Sequence, residues 1–148
     1  MRHSDMALKE LIYTSLARQP GVMKDVKDIL QSSERNNVAT NVTGLLLFDG
    51  ARYIQILEGK PENVQSLFGT IQADPRHGQI ELLHSGEISG RAFHNWRMAY
   101  EELPVGLLEE LAENMAVFAM EIEGETLDPT DSFGARLNGM FMDAIAAE

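Results

Sequence analysis

Apolar and polar positions alternate along the chain with two different periods, and the first segment has a period of two residues. In "LKELIYTSL", Leu11, Tyr13 and Ser15 fall on one face of a predicted strand. The breaker Pro20–Gly21 comes next, and then the period becomes helical. The predicted helix ends near Asn36–Asn37, and its inward stripe is Met23, Val26, Ile29, Leu30 and Ser33.

The next segment, "VTGLLLFDGARYIQILEG", contains two apolar runs separated by Asp49–Gly50, which predicts a β-hairpin. Pro61 then occupies a position typical of a first helical turn, and this second helix stops before Pro75. Its buried stripe is Val64, Leu67, Phe68 and Ile71. "QIELLHSGEI" and "WRMAYEEL" predict two more strands. The order β-α-β-β-α-β-β indicates an α+β sandwich, with a five-stranded mixed sheet and two helices on one face.

Charge is distributed unevenly along the 148 residues. Residues 1–100 contain as many basic as acidic side chains, so the net charge of −11 lies entirely in residues 101–148, where Arg136 is the one basic residue. This asymmetry argues against nucleic acid or a membrane surface as a partner. It places a boundary at Leu103–Pro104, between predicted modules at 8–103 and 104–148.

Composition narrows the function classes further. The sequence has no cysteine, which excludes disulfides, thiol catalysis and thiolate metal sites. It has no apolar run long enough for a membrane span, and its first residues do not read as a signal peptide. We therefore expect a cytoplasmic protein.

Several polar side chains fall where the pattern predicts a core. Tyr13 and Gln55 lie in the middle of strands, and Asn36–Asn37 come shortly before Thr43–Gly44. Singly, each has an ordinary explanation as a helix cap, an edge residue or a tyrosine reaching solvent. Together, amides and a phenol under two amphipathic helices suit a flat heterocycle with donor and acceptor edges, such as an isoalloxazine ring.

Two classes of protein are alternatives to one that binds such a flat heterocycle. A small enzyme on the same frame would need catalytic or metal-binding histidines, but His77, His84 and His94 match no usual zinc spacing and are interpreted as surface residues. No P-loop or nucleophile elbow occurs. The other alternative is a colourless ligand-binding or dimerisation module.

Five motifs, in order, resemble those of the BLUF family of blue-light sensors: "LIYTSLA", "SERNNVATNVTGLLLF", "YIQILEG", "DPRHG" and "FHNWRMAY". They extend from Leu11 to Tyr100. The resemblance implies a ferredoxin-like fold that holds flavin adenine dinucleotide (FAD), or the mononucleotide FMN, between its two helices. It implies a photoreceptor and not an enzyme.

The resemblance also implies roles for individual residues. Tyr13 is the light-driven electron and proton donor, and Gln55 bridges its hydroxyl and the flavin. The other implied cofactor-binding residues are Ile29, Ser33, Asn36, Asn37, Tyr53, Ile71, Asp74, Arg76 and His77. The implied signalling residues are Ser15, Trp96 and Met98.

The acidic tail carries two further helical stripes. The first comprises Leu108, Leu111, Met115, Phe118 and Ile122; the second begins after a cap at Asp131–Ser132 and comprises Phe133, Leu137, Met140 and Ala144. We expect these helices to cover the sheet face opposite the flavin, with strand residues Ile12, Leu46, Phe48, Ile54 and Ile56 beneath them. The resemblance is to a short stand-alone BLUF protein, which we expect to form a homo-oligomer and to act on a separate effector protein in trans.

Overall fold

The computed structural model describes residues 7–17, 41–75, 77–93, 99–128 and 132–137, with the backbone alone at 77 and 99–101. Its strands are β1 (Leu8–Ala17), β2 (Thr43–Phe48), β3 (Arg52–Gly59), β4 (His77–Ile88) and β5 (Ala99–Glu102). Its helices are α1 (Pro61–Gln72) and α2 (Leu107–Glu121), and residues 133–137 are also helical. The α+β class predicted from the sequence is confirmed. The first predicted helix lies outside the described residues.

The strands form one sheet in the order β4-β1-β3-β2-β5. Each adjacent pair among β4, β1, β3 and β2 is antiparallel, and β5 runs parallel to β2. In the β1–β3 pair, Tyr13 lies opposite Gln55 and Ile12 lies opposite Ile56. Because side chains alternate along a strand, we call the face of Tyr13 and Gln55 the front face and the face of Ile12 and Ile56 the back face.

Helix α1 packs on the front face. Pro61 begins it, as the sequence predicts, and Val64, Leu67 and Phe68 are its buried residues. The front cluster of buried residues comprises Leu11, Tyr13, Val42, Leu57, Val64, Leu67 and Phe68. The photochemical candidates therefore belong to the same apolar layer as α1.

The back face is covered by the C-terminal part of the chain. Its cluster joins strand residues Ile12, Leu45, Leu47, Ile54 and Ile56 to Leu108, Ala112, Met115, Ile122, Leu127, Phe133 and Leu137. The predicted placement of Leu46 and Phe48 on this face is wrong. They pair in register with Gln55 and Tyr53, so they lie on the front face and their odd-numbered neighbours Leu45 and Leu47 lie on the back.

Two residues fix the β2–β3 hairpin and its link to α2. Gly44 lies so close to β3 that a Cβ atom there would be 1.9 Å from the Ile56 carbonyl oxygen. At the predicted turn, Asp49 Oδ1 accepts hydrogen bonds from the amides of Ala51 (3.1 Å) and Arg52 (2.9 Å). Its Oδ2 accepts from Gly106 (3.1 Å) and Leu108 (3.2 Å) at the start of α2. A single buried carboxylate thus joins the hairpin to α2.

After α2 the chain returns along the edge of the sheet. Leu127 forms a parallel bridge with Ile88, and its amide donates to Glu87 O at 3.1 Å. Ser132 then caps the next helical residues, because its Oγ accepts the Ala135 amide at 3.1 Å. Neither of the two described helices is long and apolar enough to cross a membrane.

Candidate functional site

The candidate site centres on a buried hydrogen bond between two strands. The Tyr13 hydroxyl donates to Gln55 Oε1. Both side chains are buried, with 3% and 1% of their surface exposed. The antiparallel register, which sets Tyr13 and Gln55 directly opposite each other, brings a phenol and an amide together in an apolar layer. The sequence singled out both residues as candidates, and the register sets them side by side.

Burial keeps the Tyr13 phenol neutral. It raises the pKa of Tyr13 well above its ordinary value, and the negative charge of Asp74 and then the neighbouring Tyr53 add to the effect. Tyr13 therefore keeps its proton at any physiological pH. It remains a hydrogen-bond donor to Gln55.

The surroundings of the pair are aromatic and aliphatic. The rings of Tyr13 and Phe68 lie 5.5 Å apart at 41°. Ile71 packs against the same front cluster. Two residues before Gln55 in β3, Tyr53 stacks on Phe48 with ring centroids 4.7 Å apart. The sequence predicts Phe68 as a core residue of the helix, and its contact with Tyr13 adds it to the site.

The structure brings together part of the predicted set. Tyr53 is 2% exposed, and Ser15, its register partner, is fully buried. Asp74 comes just after α1 and acts electrostatically on Tyr13. The backbone of His77 begins β4, but its side chain is outside the described residues. Wholly outside them lie Ile29, Ser33, Asn36, Asn37, Arg76, Trp96 and Met98.

The back face carries a polar site that sequence reasoning missed. Glu58, fully buried in β3, accepts hydrogen bonds from the amides of Ala92 (2.9 Å) and Phe93 (3.0 Å). Arg91 donates to the Glu58 carbonyl oxygen at 2.9 Å and to Thr43 Oγ1 at 2.8 Å. Burial raises the pKa of Glu58, and these donors oppose that rise. Glu58 thereby fixes the backbone directly before residues 94–98, which contain the predicted signalling residues Trp96 and Met98.

The histidine interpretation needs one correction. His84 is half-buried, and its ring centroid lies 4.9 Å from that of Phe133. Burial lowers its pKa. It is a packed residue of the back face and not an ordinary surface histidine. Within the described ranges, no group of three or more His, Asp or Glu side chains is arranged to hold a metal ion.

Comparison with known proteins identifies the family to which this chain is similar. Residues 8–99 match the family model "BLUF: Sensors of blue-light using FAD". The blue light- and temperature-regulated antirepressor BluF of Escherichia coli K12 is 40% identical over 77 residues, which are 51% of this chain and 19% of that protein. The photoactivated adenylate cyclase subunit alpha of Euglena gracilis is 31% identical over 93 residues, 62% of this chain and 9% of the other. The chain therefore matches only a small part of these relatives.

Solved structures agree over more of the chain. The dark-state structure of BlrB, a BLUF protein, has a TM-score of 0.65 and 28% identity, and the match covers 95% of this chain and 96% of that one. The structure of BlrP1 from Klebsiella pneumoniae with FMN and cyclic diGMP has a TM-score of 0.64 and 30% identity, with coverage of 92% and 34%. The match to the cyclase covers less than a tenth of that protein, so it carries no cyclase assignment to this chain.

Proposed function

The chain belongs to the BLUF family of blue-light sensors that use flavin, and on that premise we propose that Tyr13 and Gln55 are its photochemical relay. The observation that carries this proposal is the buried hydrogen bond from the Tyr13 hydroxyl to Gln55 Oε1 on the front face.

The donor set of the front face fits a flavin. A flavin ring needs apolar contacts for its plane and polar partners for its edge. Leu57, Phe68 and Ile71 supply apolar surface beside the Tyr13–Gln55 pair. Since Gln55 Oε1 accepts from Tyr13, its Nε2 is a donor end suited to a flavin acceptor. We propose FAD as the cofactor, after the family description, with FMN as the second candidate because BlrP1 has been solved with it.

Bound flavin supplies absorption of blue light and, once excited, a strong electron acceptor. Tyr13 supplies the electron. Its raised pKa keeps the phenol protonated in the dark. Loss of an electron would make the hydroxyl strongly acidic, so its proton would pass along the existing bond to Gln55 Oε1 while Gln55 Nε2 releases a proton toward the flavin, which leaves Gln55 neutral. The sheet register holds both groups in place for this step.

Gln55 converts that transfer into a lasting change. Its side chain has one acceptor end and one donor end, so rotation or tautomerisation exchanges the hydrogen bonds it makes without changing its charge. Burial excludes water that would otherwise compete for these bonds. The altered bonding persists after the electron returns, and this is the lit state.

Other residues are proposed to hold the cofactor. By the family resemblance, Asn37 would pair with the polar edge of the ring, with Asn36 beside it. Arg76 and His77, with Asp74, would bind near the ribityl chain and the phosphates. The remaining proposed contacts are Ile29, Ser33, Tyr53 and Ile71. The burial of Tyr53 and the electrostatic effect of Asp74 on Tyr13 support their places in this set.

For the output, we propose a sensor module at 8–103 and a C-terminal extension at 104–148 that acts on a separate effector protein. Ser15, Trp96 and Met98 are proposed to carry the signal toward it. The packing of α2 on the back face of the sensor sheet supports such a route. A chain without cysteine fits a reducing compartment, and we propose that the protein works in the cytoplasm as a homo-oligomer.

The relay is tested by absorption spectroscopy of the purified, flavin-loaded protein before and after blue light. The wild type is expected to show a small red shift that decays in the dark. Tyr13→Phe and Gln55→Ala should abolish the shift and keep flavin, because each removes one relay group but leaves most of the apolar surface. A normal red shift in Tyr13→Phe would refute the mechanism.

Gln65→Ala is the matched control for Gln55→Ala. Gln65 is exposed on α1, where its Oε1 accepts from Lys9 Nζ at 3.0 Å. This variant loses the same amide at a surface position and should keep the full shift. If Gln65→Ala loses the red shift as Gln55→Ala does, the assay reports general damage to the protein and not the relay.

A further inference from the structure

A second buried carboxylate joins the back face to the C-terminal segment. Glu10 of β1 is fully buried. Its Oε1 accepts the Phe133 amide at 3.1 Å, and its Oε2 accepts the Gly134 amide at 2.8 Å. Ser132 contributes a side-chain hydrogen bond. Residues 132–134 are therefore fastened to a strand more than a hundred positions earlier in the chain.

Glu10 and Glu58 form a pair of like charges. They are register partners in the β1–β3 ladder, so their side chains leave the same face of adjacent strands. Gly134 lies between them: its amide bonds to Glu10, and a Cβ atom at this position would be 3.0 Å from Glu58 Oε2. Two buried carboxylates this close do not both ionise easily.

Their partners decide which of the two takes the proton. Glu58 has the amides of Ala92 and Phe93, the Thr43 hydroxyl and the positive charge of Arg91, all of which favour its charged form. Glu10 has three neutral donors and no basic partner among its described contacts. Glu10 is therefore the group that is more readily protonated.

We propose that Glu10 is a positioning residue that fastens residues 132–134 to the back face, and that loss of its proton loosens this attachment. This role is separate from the proposed photochemistry, which uses the front face of the sheet. Burial, and after it repulsion from Glu58, raises the pKa of Glu10 from 4.5 to about 7 against the pull of its hydrogen-bond donors. When the segment lifts away, Glu10 meets water and its pKa returns toward the ordinary value.

The sign of the pH dependence comes from linkage. A carboxyl group whose pKa is higher in the attached state stabilises that state fully below the ordinary pKa of 4.5, and this stabilisation is lost as the pH rises through about 7. Between these values, opening of the segment releases a proton. The opening equilibrium constant should therefore increase with pH by at most tenfold per unit, or by roughly 50- to 100-fold between pH 5 and 8.

Other charged groups near the pair act differently. His84 of β4 faces the same cluster, and because burial lowers its pKa, its contribution is lost as the pH falls and so has the opposite sign. The Arg91 guanidinium donates to the backbone carbonyl oxygen of Glu58. The guanidinium carbon of Arg136 lies 4.0 Å from the centre of the Phe118 ring. Helix α2 turns Leu108, Ala112 and Met115 to the sheet, and its glutamates Glu109, Glu110, Glu113 and Glu121 are exposed.

The proposal is tested by hydrogen exchange of the Phe133 and Gly134 amides in the full-length, flavin-loaded protein in the dark. The measured quantity is the protection factor, which removes the intrinsic pH dependence of exchange. In the wild type it should fall by roughly 50- to 100-fold between pH 5 and 8. In Glu10→Gln, which cannot ionise, this fall should disappear while the blue-light red shift is kept.

Glu81→Gln is the control, since Glu81 is an exposed carboxylate on β4 and its loss should leave the fall in protection unchanged. A wild-type protection factor independent of pH, or the same fall in Glu10→Gln, overturns the proposal. A second measurement needs no variant: the side-chain carboxyl carbon of Glu10, monitored by NMR in the wild type. A midpoint near 7 supports the proposal, and a midpoint near 4.5 overturns it even if Glu10→Gln does not fold.

Discussion

The buried carboxylate of Asp49 gives a prediction of stability whose magnitude follows from the hydrogen bonds that it accepts. Asp49 is 3% exposed and accepts four backbone amides, two within the β2–β3 turn and two at the start of α2. Asp49→Ala removes all four bonds. The Leu108 amide is buried, and leaving such a donor unsatisfied costs about 1–3 kcal/mol. Loss of a helix-capping side chain typically costs about 1 kcal/mol.

We therefore expect Asp49→Ala to lower the free energy of unfolding by about 2–4 kcal/mol. At about 2–4 °C per kcal/mol for a chain near this size, the Tm should fall by roughly 5–15 °C. Asp49→Asn separates the two halves of the interaction. It keeps an acceptor for Ala51 and Arg52 but turns an NH2 group toward Gly106 and Leu108, so its cost should lie between those of the wild type and Asp49→Ala.

The assay is urea unfolding monitored by circular dichroism in the dark, with saturating flavin in every sample because bound ligand adds to the apparent stability. Glu110→Gln, an exposed change on α2, serves as the control for loss of one negative charge. The reasoning is refuted if Asp49→Asn is as stable as the wild type, because the two bonds to α2 would then contribute nothing.

Two further predictions concern the sheet and its cover. Gly44→Ala should lower the free energy of unfolding by more than about 4 kcal/mol and leave little soluble protein. The added Cβ would lie 1.9 Å from the Ile56 carbonyl oxygen, and β2 can move away only by breaking its pairing with β3. A soluble variant with the wild-type Tm would contradict this prediction. Truncation after Leu103 should cause aggregation in size-exclusion chromatography, and a monodisperse truncated protein as stable as the full chain would show that the tail is not the cover. The reason is that burial of each large apolar side chain is worth about 1.5–3 kcal/mol, and the truncation removes Leu108, Met115, Ile122, Leu127, Phe133 and Leu137 from the back cluster.

The sequence predicted some features of the fold because they depend on local chemistry. Asp49–Gly50 marked the hairpin, and Gly50 has the positive φ of 93° that such turns favour. Pro61 marked the start of α1. The alternation in β1 placed Tyr13 on one face with Leu11 and Ser15, but only the register of β1 with β3 puts Gln55 beside it. Their roles, however, came from the resemblance of the motifs, since a buried phenol and amide do not name their ligand.

Other features depend on contacts that are remote in sequence. The run "TGLLLF" is buried on both faces, so its pattern does not show which leucines face back; the register with β3 decides, and it placed Leu46 and Phe48 on the front. Similarly, nothing in the sequence near Glu10 announces that amides 133 and 134 will bind it. A carboxylate with remote backbone partners looks like any surface glutamate in a sequence.

The alternation of β3 also limits how this protein can evolve. Gln55 belongs to the front face, while Ile54 and Ile56 on either side belong to the back cluster, so consecutive residues serve two different neighbourhoods. Substitutions at the back positions change the packing against the C-terminal segment and leave Gln55 on the front face. A single inserted or deleted residue within β3 would instead exchange the two sets beyond that point. Homologues should therefore vary in the identity of these residues far more readily than in the length of the strand.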